Sequence, residues 1–362
     1  MTATLLTPKS DDQAPVTPPA LPPTPGTSVE IVPGVRWIRM PLPIALDHIN
    51  LWAIEDGDGW TLVDTGINCP DSMAIWDRIA THDLAGRPVK RLIVTHMHAD
   101  HAGLAGWLAN RFACPLWMAD AEYADAQVMV SGNRDRRQVR DFYHRAGWQA
   151  TEIERYFRRR AVLGSYYCPL PQRYNRMADG DHFLINGRHW RVIAGGGHSA
   201  EHACLHCPDL DIFISGDVVL PKISSNVSVE PEAPEADPLG QWFATLDRIR
   251  ADVPDSVMVL PSHGRCFRGL HDRIATLEHD QREVLARLAT ALDAPTRPDA
   301  LFDILFSRPI SRTDISLMTL ATGETLALLN HLAARGLVAR RDGADGVSRF
   351  QRIVPECEAC CP

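Results

Sequence analysis

THMHADHAG, residues 95–103, directly follows the apolar run LIV and holds three histidines and one aspartate within six positions. Successive side chains of an extended segment point to opposite faces, so His96 and His98 lean to the same side. Asp100 and His101 follow where the chain turns into an expected helix. Imidazole and carboxylate are ligands that zinc and similar divalent metals prefer. Four such ligands are more than one catalytic ion takes from a single segment. The stretch predicts a metal site, with room for two ions, rather than a polar loop whose histidines only contact nearby backbone.

The composition is that of a globular enzyme. The chain has 362 residues, 45% of them hydrophobic, which is enough for one large domain and a smaller one. A formal net charge of -8 argues against general binding to DNA or to an anionic membrane, because both need a basic surface. No apolar run has the length of a membrane span, and no secretory signal is visible, which predicts a cytoplasmic protein. Nine scattered cysteines favour reduced thiols over disulfides.

Changes of composition divide the chain into segments. Residues 1–27 contain seven prolines and predict a disordered tail, and residues 356–362 form a cysteine-rich tail. The main domain is expected over 28–270, with a helical insertion at about 120–180. A helical, winged-helix-like domain is expected over 271–355, because ARRDGADGVSRFQRIV predicts a hairpin after several helices. Its last helix, GETLALLNHLAAR, is nearly uncharged, so we expect it to pack, to form a dimer contact or to cover the site rather than to read DNA.

Strands dominate the main domain. VEIVPGVRWIRM, INLWAI and WTLVDTG predict strands, a helix is expected at about 71–80, and LIVTH is the strand that leads into the opening motif. HFLINGRHWRVIA predicts a hairpin with its turn at Asn186 and Gly187. ACLHC, IFISG and SVMVL predict buried strands.

Further ligand candidates lie downstream, each beside an apolar strand. His198 lies in GGGHSAEH, Asp217 in ISGD and His263 in LPSHG. Loops at one edge of packed sheets can bring such residues together. The full set is five histidines and two aspartates, which is enough for two metals with a bridging carboxylate.

This set resembles the metallo-β-lactamase superfamily, since residues 96–101 match its HxHxDH signature and the three downstream motifs follow in order. The resemblance covers about 30–270 and implies a four-layer αβ/βα sandwich with the metals at one edge of the sheets. It implies one ion held by His96, His98 and His198, a second ion held by Asp100, His101 and His263, Asp217 as the bridge, and Asp64 as a supporting residue behind the ligands. GHSAEH, with its second histidine, and the C-terminal helices look like the glyoxalase II-like and β-lactamase-like protein 2 branches.

The resemblance implies two divalent ions as cofactors, with zinc expected and iron or manganese as alternatives. Such ions activate a water for hydrolysis. Asp100 is the candidate that orients this nucleophile and moves its proton. His202 is a second catalytic candidate, as a hydrogen-bond donor to the oxyanion or to a ligand, with a structural role as the alternative.

Substrate contacts are harder to predict. Between residues 131 and 160 nine arginines face four acidic residues, so the insertion is either a solvated helical face or a lid whose arginines, with Arg136 and Arg137 as candidates, bind an anion. Lys222 and Ser224, after the bridging aspartate, are further candidates. LDHIN is a third segment that can reach the rim, through His48 or Asn50.

Two CxxC pairs raise the question of a structural zinc site. Cys204 and Cys207 lie in an expected strand, where residues three apart point to opposite faces, which argues against a shared ion. Cys357 and Cys360 lie in the C-terminal tail.

The favoured function is hydrolysis of a small thioester or ester with an anionic portion, of the acyl-coenzyme A, acyl-glutathione or lactone type, by a protein that can form a homodimer. One alternative is an endoribonuclease or phosphodiesterase of the same fold. Another is a persulfide dioxygenase with a single iron.

Overall fold

The computed structural model describes residues 21–43 and 46–353. Most of the predicted proline-rich tail and all of the cysteine-rich tail, including its CxxC pair, lie outside these ranges. At the N-terminal end, the Gly26 amide donates a hydrogen bond of 2.6 Å to the carbonyl of Arg39. The chain therefore already pairs with the main domain ahead of Ser28, where the sequence placed its start.

Two mixed sheets form the centre of the molecule. The first has seven strands in sequence order: β1 (Ser28–Val32), β2 (Val35–Pro41), β3 (His48–Asp56), β4 (Gly59–Val63), β5 (Val89–Ile93), β6 (Leu116–Met118) and β7 (Asn175–Arg176). The second has five strands in the order β12-β11-β10-β9-β8: β8 (His182–Ile185), β9 (Arg188–Gly195), β10 (His202–Cys207), β11 (Ile212–Gly216) and β12 (Met258–Pro261). The strands predicted from sequence are confirmed.

Side chains alternate between two cores, as the period of a strand requires. In β3, Leu51 points to the helix-covered face of the first sheet, and Trp52 points into the core between the sheets. In β10, Cys204 belongs to the outer core of the second sheet and Cys207 to the core between the sheets. These two thiols therefore face opposite ways, as predicted. Asn186 and Gly187 both have positive φ, and they form the predicted turn between β8 and β9.

Helices cover the outer face of each sheet, which gives the predicted four-layer αβ/βα sandwich. They are α1 (Pro70–Arg78), α2 (Ala99–Ala102), α3 (Ala105–Phe112), α4 (Asp120–Ser131), α5 (Arg136–Arg145), α6 (Ala150–Gly164), α7 (Pro238–Asp252), α8 (Leu270–Ala291), α9 (Phe302–Leu305) and α10 (Ile315–Ala334). No helix in the described part of the chain is long and apolar enough to cross a bilayer.

The insertion is helical over a shorter range than expected. Its three helices end at Gly164, and β7 then pairs in parallel with β6 through Trp117 and Asn175. The first sheet therefore resumes before residue 180. Trp117 and Met118 of β6 pair with only two further residues, which form β7.

The C-terminal part packs against the insertion in a continuous core. The core includes Tyr143 and Tyr156 of the insertion, Trp242 of α7, Leu277 of α8 and Leu329 of α10. The predicted hairpin is formed by β13 (Val338–Asp342) and β14 (Ser348–Arg352). Residues 321–332 of α10 are all buried, which confirms its expected role in packing.

Candidate metal centre

The seven predicted ligands meet at one edge of the sandwich. The opening motif follows β5 and includes α2, and the other three ligands follow β9, β11 and β12. The strands β9 and β11 are both antiparallel to β10, and β12 is parallel to β11, so all three end at the same edge of the second sheet. The Ala203 amide donates a hydrogen bond of 2.9 Å to the carbonyl of Thr95, and this bond joins the two sheets beside the site.

The first group of ligands comprises His96, His98, His198 and Asp217, whose donor atoms all lie within 4.8 Å of one another. His96 Nε2 is 2.9 Å from His98 Nδ1 and 3.2 Å from His198 Nε2. His198 Nε2 is 3.4 Å from Asp217 Oδ2. Three imidazoles and one carboxylate at this spacing form a donor set that suits a divalent metal.

The second group comprises Asp100, His101 and His263, again within 4.8 Å. Asp100 Oδ2 is 3.4 Å from His263 Nε2. Asp217 reaches this group as well, since its two oxygens lie 3.6 Å from His101 Nε2 and 3.6 Å from His263 Nε2. The Asp217 carboxylate therefore lies between both groups.

The ring nitrogens that face away from the cluster are held by protein oxygens. These contacts are His101 Nδ1 to Asp64 Oδ2 at 2.8 Å, His198 Nδ1 to the Asn226 carbonyl at 2.8 Å, and His263 Nδ1 to the His48 carbonyl at 2.9 Å. Such contacts fix the ring orientation and leave Nε2 for a metal.

Asp64 supports the site from the end of β4. Its φ is 62°, in the left-handed region that aspartate tolerates better than most residues. Its carboxylate accepts hydrogen bonds from the Thr95 amide at 2.8 Å and from the Thr95 hydroxyl at 2.9 Å. Asp64 therefore links His101 to the start of the opening motif.

Burial and charge divide the histidines. Burial lowers the pKa of His96 and of His98 well below the usual value, which favours the neutral imidazole that binds metals. Burial also acts on His101, but the carboxylates of Asp64 and Asp217 outweigh it and raise the pKa of that ring. Burial would raise the pKa of Asp217, but the charges of His263 and His101 hold it well below its usual range. The carboxylates thus favour positive charge at this end of the cluster.

These residues fit a metal. His101 Nε2, His263 Nε2 and Asp217 Oδ1 are buried and have no hydrogen-bond partner among the described residues. Buried polar atoms almost always have a partner, so these atoms indicate a missing ligand. The Nε2 and carboxylate donors are of the type that zinc, iron and manganese bind.

His202 lies behind the cluster and is fully buried. Its Nε2 accepts a hydrogen bond of 3.0 Å from the Asp217 amide, and its ring stacks on His96 with centroids 4.6 Å apart. His202 therefore accepts a hydrogen bond from the backbone of a ligand residue, whereas the sequence suggested that it donates one to a substrate oxyanion. This contact orients Asp217.

Glu122 is a supporting residue that sequence reasoning missed. It is fully buried on α4, and its oxygens accept hydrogen bonds from the Met97 amide at 2.8 Å and the Glu201 amide at 2.7 Å. Burial raises the pKa of Glu122 to about 7. Glu122 thus joins the loop of His96 and His98 to the loop that follows His198, and a single glutamate on a helix gives no sequence signal for this.

The residues predicted to contact the substrate lie in different surroundings. The guanidinium of Arg136 is 3.8 Å from the Phe157 ring centroid and 3.6 Å from Glu154, on the exposed side of the insertion. Arg137 lines a cavity of about 360 Å³ between α5 and the C-terminal hairpin. The Ser224 hydroxyl is buried and donates to the Ser225 carbonyl at 3.2 Å, and Lys222 is exposed.

His48 and Asn50 act on the last ligand loop. His48 offers its carbonyl to His263, and its ring Nε2 accepts from the Gly264 amide at 3.2 Å. The Asn50 amide nitrogen donates to the carbonyls of Pro261 and Gly264, at 2.8 and 2.9 Å. These two residues hold the loop on both sides of its histidine.

A narrow cavity of about 140 Å³ adjoins the ligands at His98 and Ala99, and we call it the inner cavity. The insertion and the first half of α10 supply most of its wall, including Met129, Tyr143, Tyr156, Leu163, Tyr167 and Leu320. The Tyr167 hydroxyl donates to the Met97 carbonyl at 3.0 Å, so this wall is tied to the ligand loop.

Comparison with known proteins agrees with this fold and centre. Residues 45–263 match the metallo-β-lactamase superfamily, and residues 285–353 match the family described as metallo-β-lactamase-like, C-terminal domain. The human acyl-coenzyme A thioesterase MBLAC2 is 26% identical over 249 residues, which are 65% of this chain and 79% of that protein. A probable metallo-hydrolase of Bacillus subtilis, YqjP, is 24% identical, over 63% of this chain and 70% of its own length.

Two solved structures are similar over most of the chain. A β-lactamase domain protein from Burkholderia ambifaria is 38% identical, with a TM-score of 0.83, and the match covers 95% of this chain and 97% of that one. A metallo-β-lactamase family protein from Thermus thermophilus has a TM-score of 0.75 at 24% identity, over 90% of this chain and all of its own. The second likeness supports the fold alone.

Proposed function

The chain belongs to the metallo-β-lactamase superfamily of metallo-hydrolases, and from that premise we propose that it is a thioester hydrolase with two divalent metal ions. The position of Asp217 carries the proposal of two ions, because its carboxylate lies within 3.6 Å of histidines in both ligand groups. The name of the human relative, an acyl-coenzyme A thioesterase, supports a thioester as the substrate.

The residues of each group would hold one ion, with Asp217 shared. When bound, such ions polarise a carbonyl oxygen and lower the pKa of a water molecule. The protein itself keeps the three outward ring nitrogens in fixed hydrogen bonds, so the ligand geometry is set before substrate arrives. Preorganisation of this kind avoids reorganisation during the reaction.

Asp100 is proposed as the proton carrier. Its Oδ2 lies 3.4 Å from His263 Nε2 at the centre of the cluster, and the residue is 1% exposed. In thioester hydrolysis, the water oxygen forms a bond to the acyl carbon, the carbon–sulfur bond breaks, and one water proton ends on the sulfur. A carboxylate in this position can hold that proton between the two steps.

The first experiment measures thiol release from acyl-coenzyme A and acyl-glutathione thioesters by metal-loaded and chelator-treated protein. We expect release by the loaded protein, loss of at least about 100-fold after chelation, and recovery on addition of zinc. Metal analysis accompanies the assay, because two ions per chain support the proposal and a single iron would favour the dioxygenase alternative. Protein that holds two ions and releases no thiol would overturn the thioesterase and bring lactones, other esters and RNA forward as substrates.

A further inference from the structure

The inner cavity does not end at the insertion. Its outer end is lined by Arg159 and Ser316, and the same two residues line an open cleft of about 610 Å³. The remaining residues of this cleft are Arg155, Arg158, Thr313, Asp314 and Ile315. We call it the outer cleft. The inner cavity, which His98 also lines, and the outer cleft therefore adjoin at Arg159 and Ser316.

The outer cleft has an excess of positive charge in an acidic protein. Arg155, Arg158 and Arg159 line it, and Asp314 is the carboxylate among its lining residues. That carboxylate accepts a hydrogen bond of 3.0 Å from the Leu317 amide, so it serves as the cap of α10. Arg155 donates to the backbone carbonyls of Arg312 and Thr313, which orients it beside the cleft.

Within the described part of the chain, Arg159 has no counter-charge, in contrast to arginines of the insertion such as Arg134 and Arg140. Arg134 lies 3.2 Å from Glu230 and 3.0 Å from Glu232, and Arg140 lies 2.6 Å from Glu154. Arg159 has neither an ion pair nor a hydrogen bond within residues 21–43 and 46–353, and its Nε is buried. A buried Nε–H with no acceptor from the chain is unfavourable, and an anion bound from outside the chain can supply that acceptor.

We propose that Arg159, with Arg155 and Arg158, binds the phosphates of a thioester's carrier thiol, of the coenzyme A type. This proposal rests on the thioesterase function and names its substrate class. The narrow inner cavity takes the uncharged arm that ends in the thioester, and the wider outer cleft takes the nucleotide. The planar guanidinium of an arginine can bind a phosphate through two parallel hydrogen bonds. The cleft of about 610 Å³ is also larger than a single carboxylate requires.

The test uses the full zinc-loaded chain and the Arg159→Gln variant. The Arg111→Gln variant is the control, because Arg111 lies on α3, pairs with Asp77 at 3.1 Å and lines neither cavity. Calorimetry measures binding of adenosine 3′,5′-bisphosphate, which carries phosphates without a thioester. We expect at least about tenfold weaker binding by Arg159→Gln and no change in the control, since a hydrogen bond to a charged group typically gives that factor.

Kinetics provide the second readout. The KM for an acyl-coenzyme A should rise about tenfold in Arg159→Gln with kcat nearly unchanged, because the phosphates lie far from the reacting carbon. The matched acyl-N-acetylcysteamine thioester, which lacks phosphates, should be hydrolysed equally by all three proteins. A melting temperature equal to wild type shows that the variant is folded, and Arg159→Lys, which keeps the charge, replaces it if it is not.

The outcomes separate this proposal from the function on which it rests. Equal nucleotide binding by all three proteins, or an equal rise of KM for both thioesters, would overturn the phosphate site and leave the thioesterase standing. A rise of KM for acyl-glutathione alone would overturn phosphate as the anion. Weaker nucleotide binding in Arg159→Gln, in a protein that hydrolyses neither thioester, would support the anion site and overturn the thioesterase.

Discussion

The metal-ligand cluster and the inner cavity meet at His98 but are built in different ways. The cluster lies on segments that follow strand ends, and hydrogen bonds orient three of its five histidine rings. Most of the cavity wall comes from the insertion and from α10, which lie far apart in the sequence and share an apolar core. The cluster therefore depends on a few polar contacts, whereas the cavity depends on how two helical segments pack.

This difference predicts two kinds of mutational effect. Changes in the cluster should alter metal binding and catalysis with small effects on the free energy of unfolding, because few apolar atoms are involved. Changes between the insertion and the C-terminal part should lower the free energy of unfolding and leave metal content intact. The following variants test that separation.

The largest effect is expected for Asp217→Asn. An amide cannot supply the charge that lies between both ligand groups, so we expect thiol release to fall by more than about 100-fold, since loss of an outer partner alone costs about 10- to 100-fold. Metal analysis of the purified variant should show a deficit. Asp303→Asn, on the exposed side of α9, is the control. Full metal content with normal activity would show that Asp217 is not a ligand.

Glu122→Gln tests whether orientation from behind the ligands matters. The amide must turn an NH2 group toward either the Met97 or the Glu201 amide, so one of two loop contacts is lost. We expect metal affinity to fall about 10- to 100-fold, measured by competition with a chromophoric chelator. Glu154→Gln removes an exposed carboxylate and serves as the control. Equal affinity in both variants would remove Glu122 from the centre.

Arg312→Ala tests the packing of the insertion on the C-terminal part. Arg312 donates to both oxygens of Glu152 at 2.7 Å and to Asp299 at 3.0 Å, and both carboxylates are nearly buried. Loss of these contacts should lower the free energy of unfolding by about 1–3 kcal/mol in urea titrations, with metal content unchanged. Arg111→Ala should change it by less than about 0.5 kcal/mol. Loss of metal in Arg312→Ala would contradict the proposed separation.

Asp342→Asn should have the smallest effect, and it depends on pH. The Ser348 hydroxyl at 2.7 Å is the main cause of the lowered pKa of Asp342, and Arg340 and Arg145 lower it further. Because the folded pKa lies below the usual 3.8, Asp342 contributes stability above that pH and loses it as the pH falls through the folded pKa. The difference from wild type, less than about 1 kcal/mol at pH 7, should shrink as the pH falls below 3.8. A difference that grows in acid would contradict this sign.

The same contrast explains which residues of the site could be predicted from the sequence. Every ligand lies in a short motif beside an apolar strand, and local patterns carry that information, so His96 to His263 could be named in advance. Asp64 was reachable for the same reason. Glu122 was not, because its role depends on which two loops α4 approaches.

The arginines of the insertion show where sequence reasoning ends. Their number left open either a solvated helical face or a lid that binds an anion. Neighbouring helical residues point about 100° apart, so the face that meets a cavity depends on the packing partner. Arg159 and Arg160 line the inner cavity, whereas Arg136 and Arg137 do not. Only the position of α10 distinguishes the two pairs.

The continuous core between the insertion, α7 and the C-terminal helices has a consequence for unfolding. Two domains with separate cores can melt in separate steps, but Trp148 of the insertion donates a buried hydrogen bond of 2.9 Å to Thr322 of α10, and both lie within shared packing. The C-terminal part cannot detach without exposing the outer core of the second sheet. Calorimetry should therefore record one cooperative transition, in which the inner cavity is lost together with the sheets that carry the metal ligands.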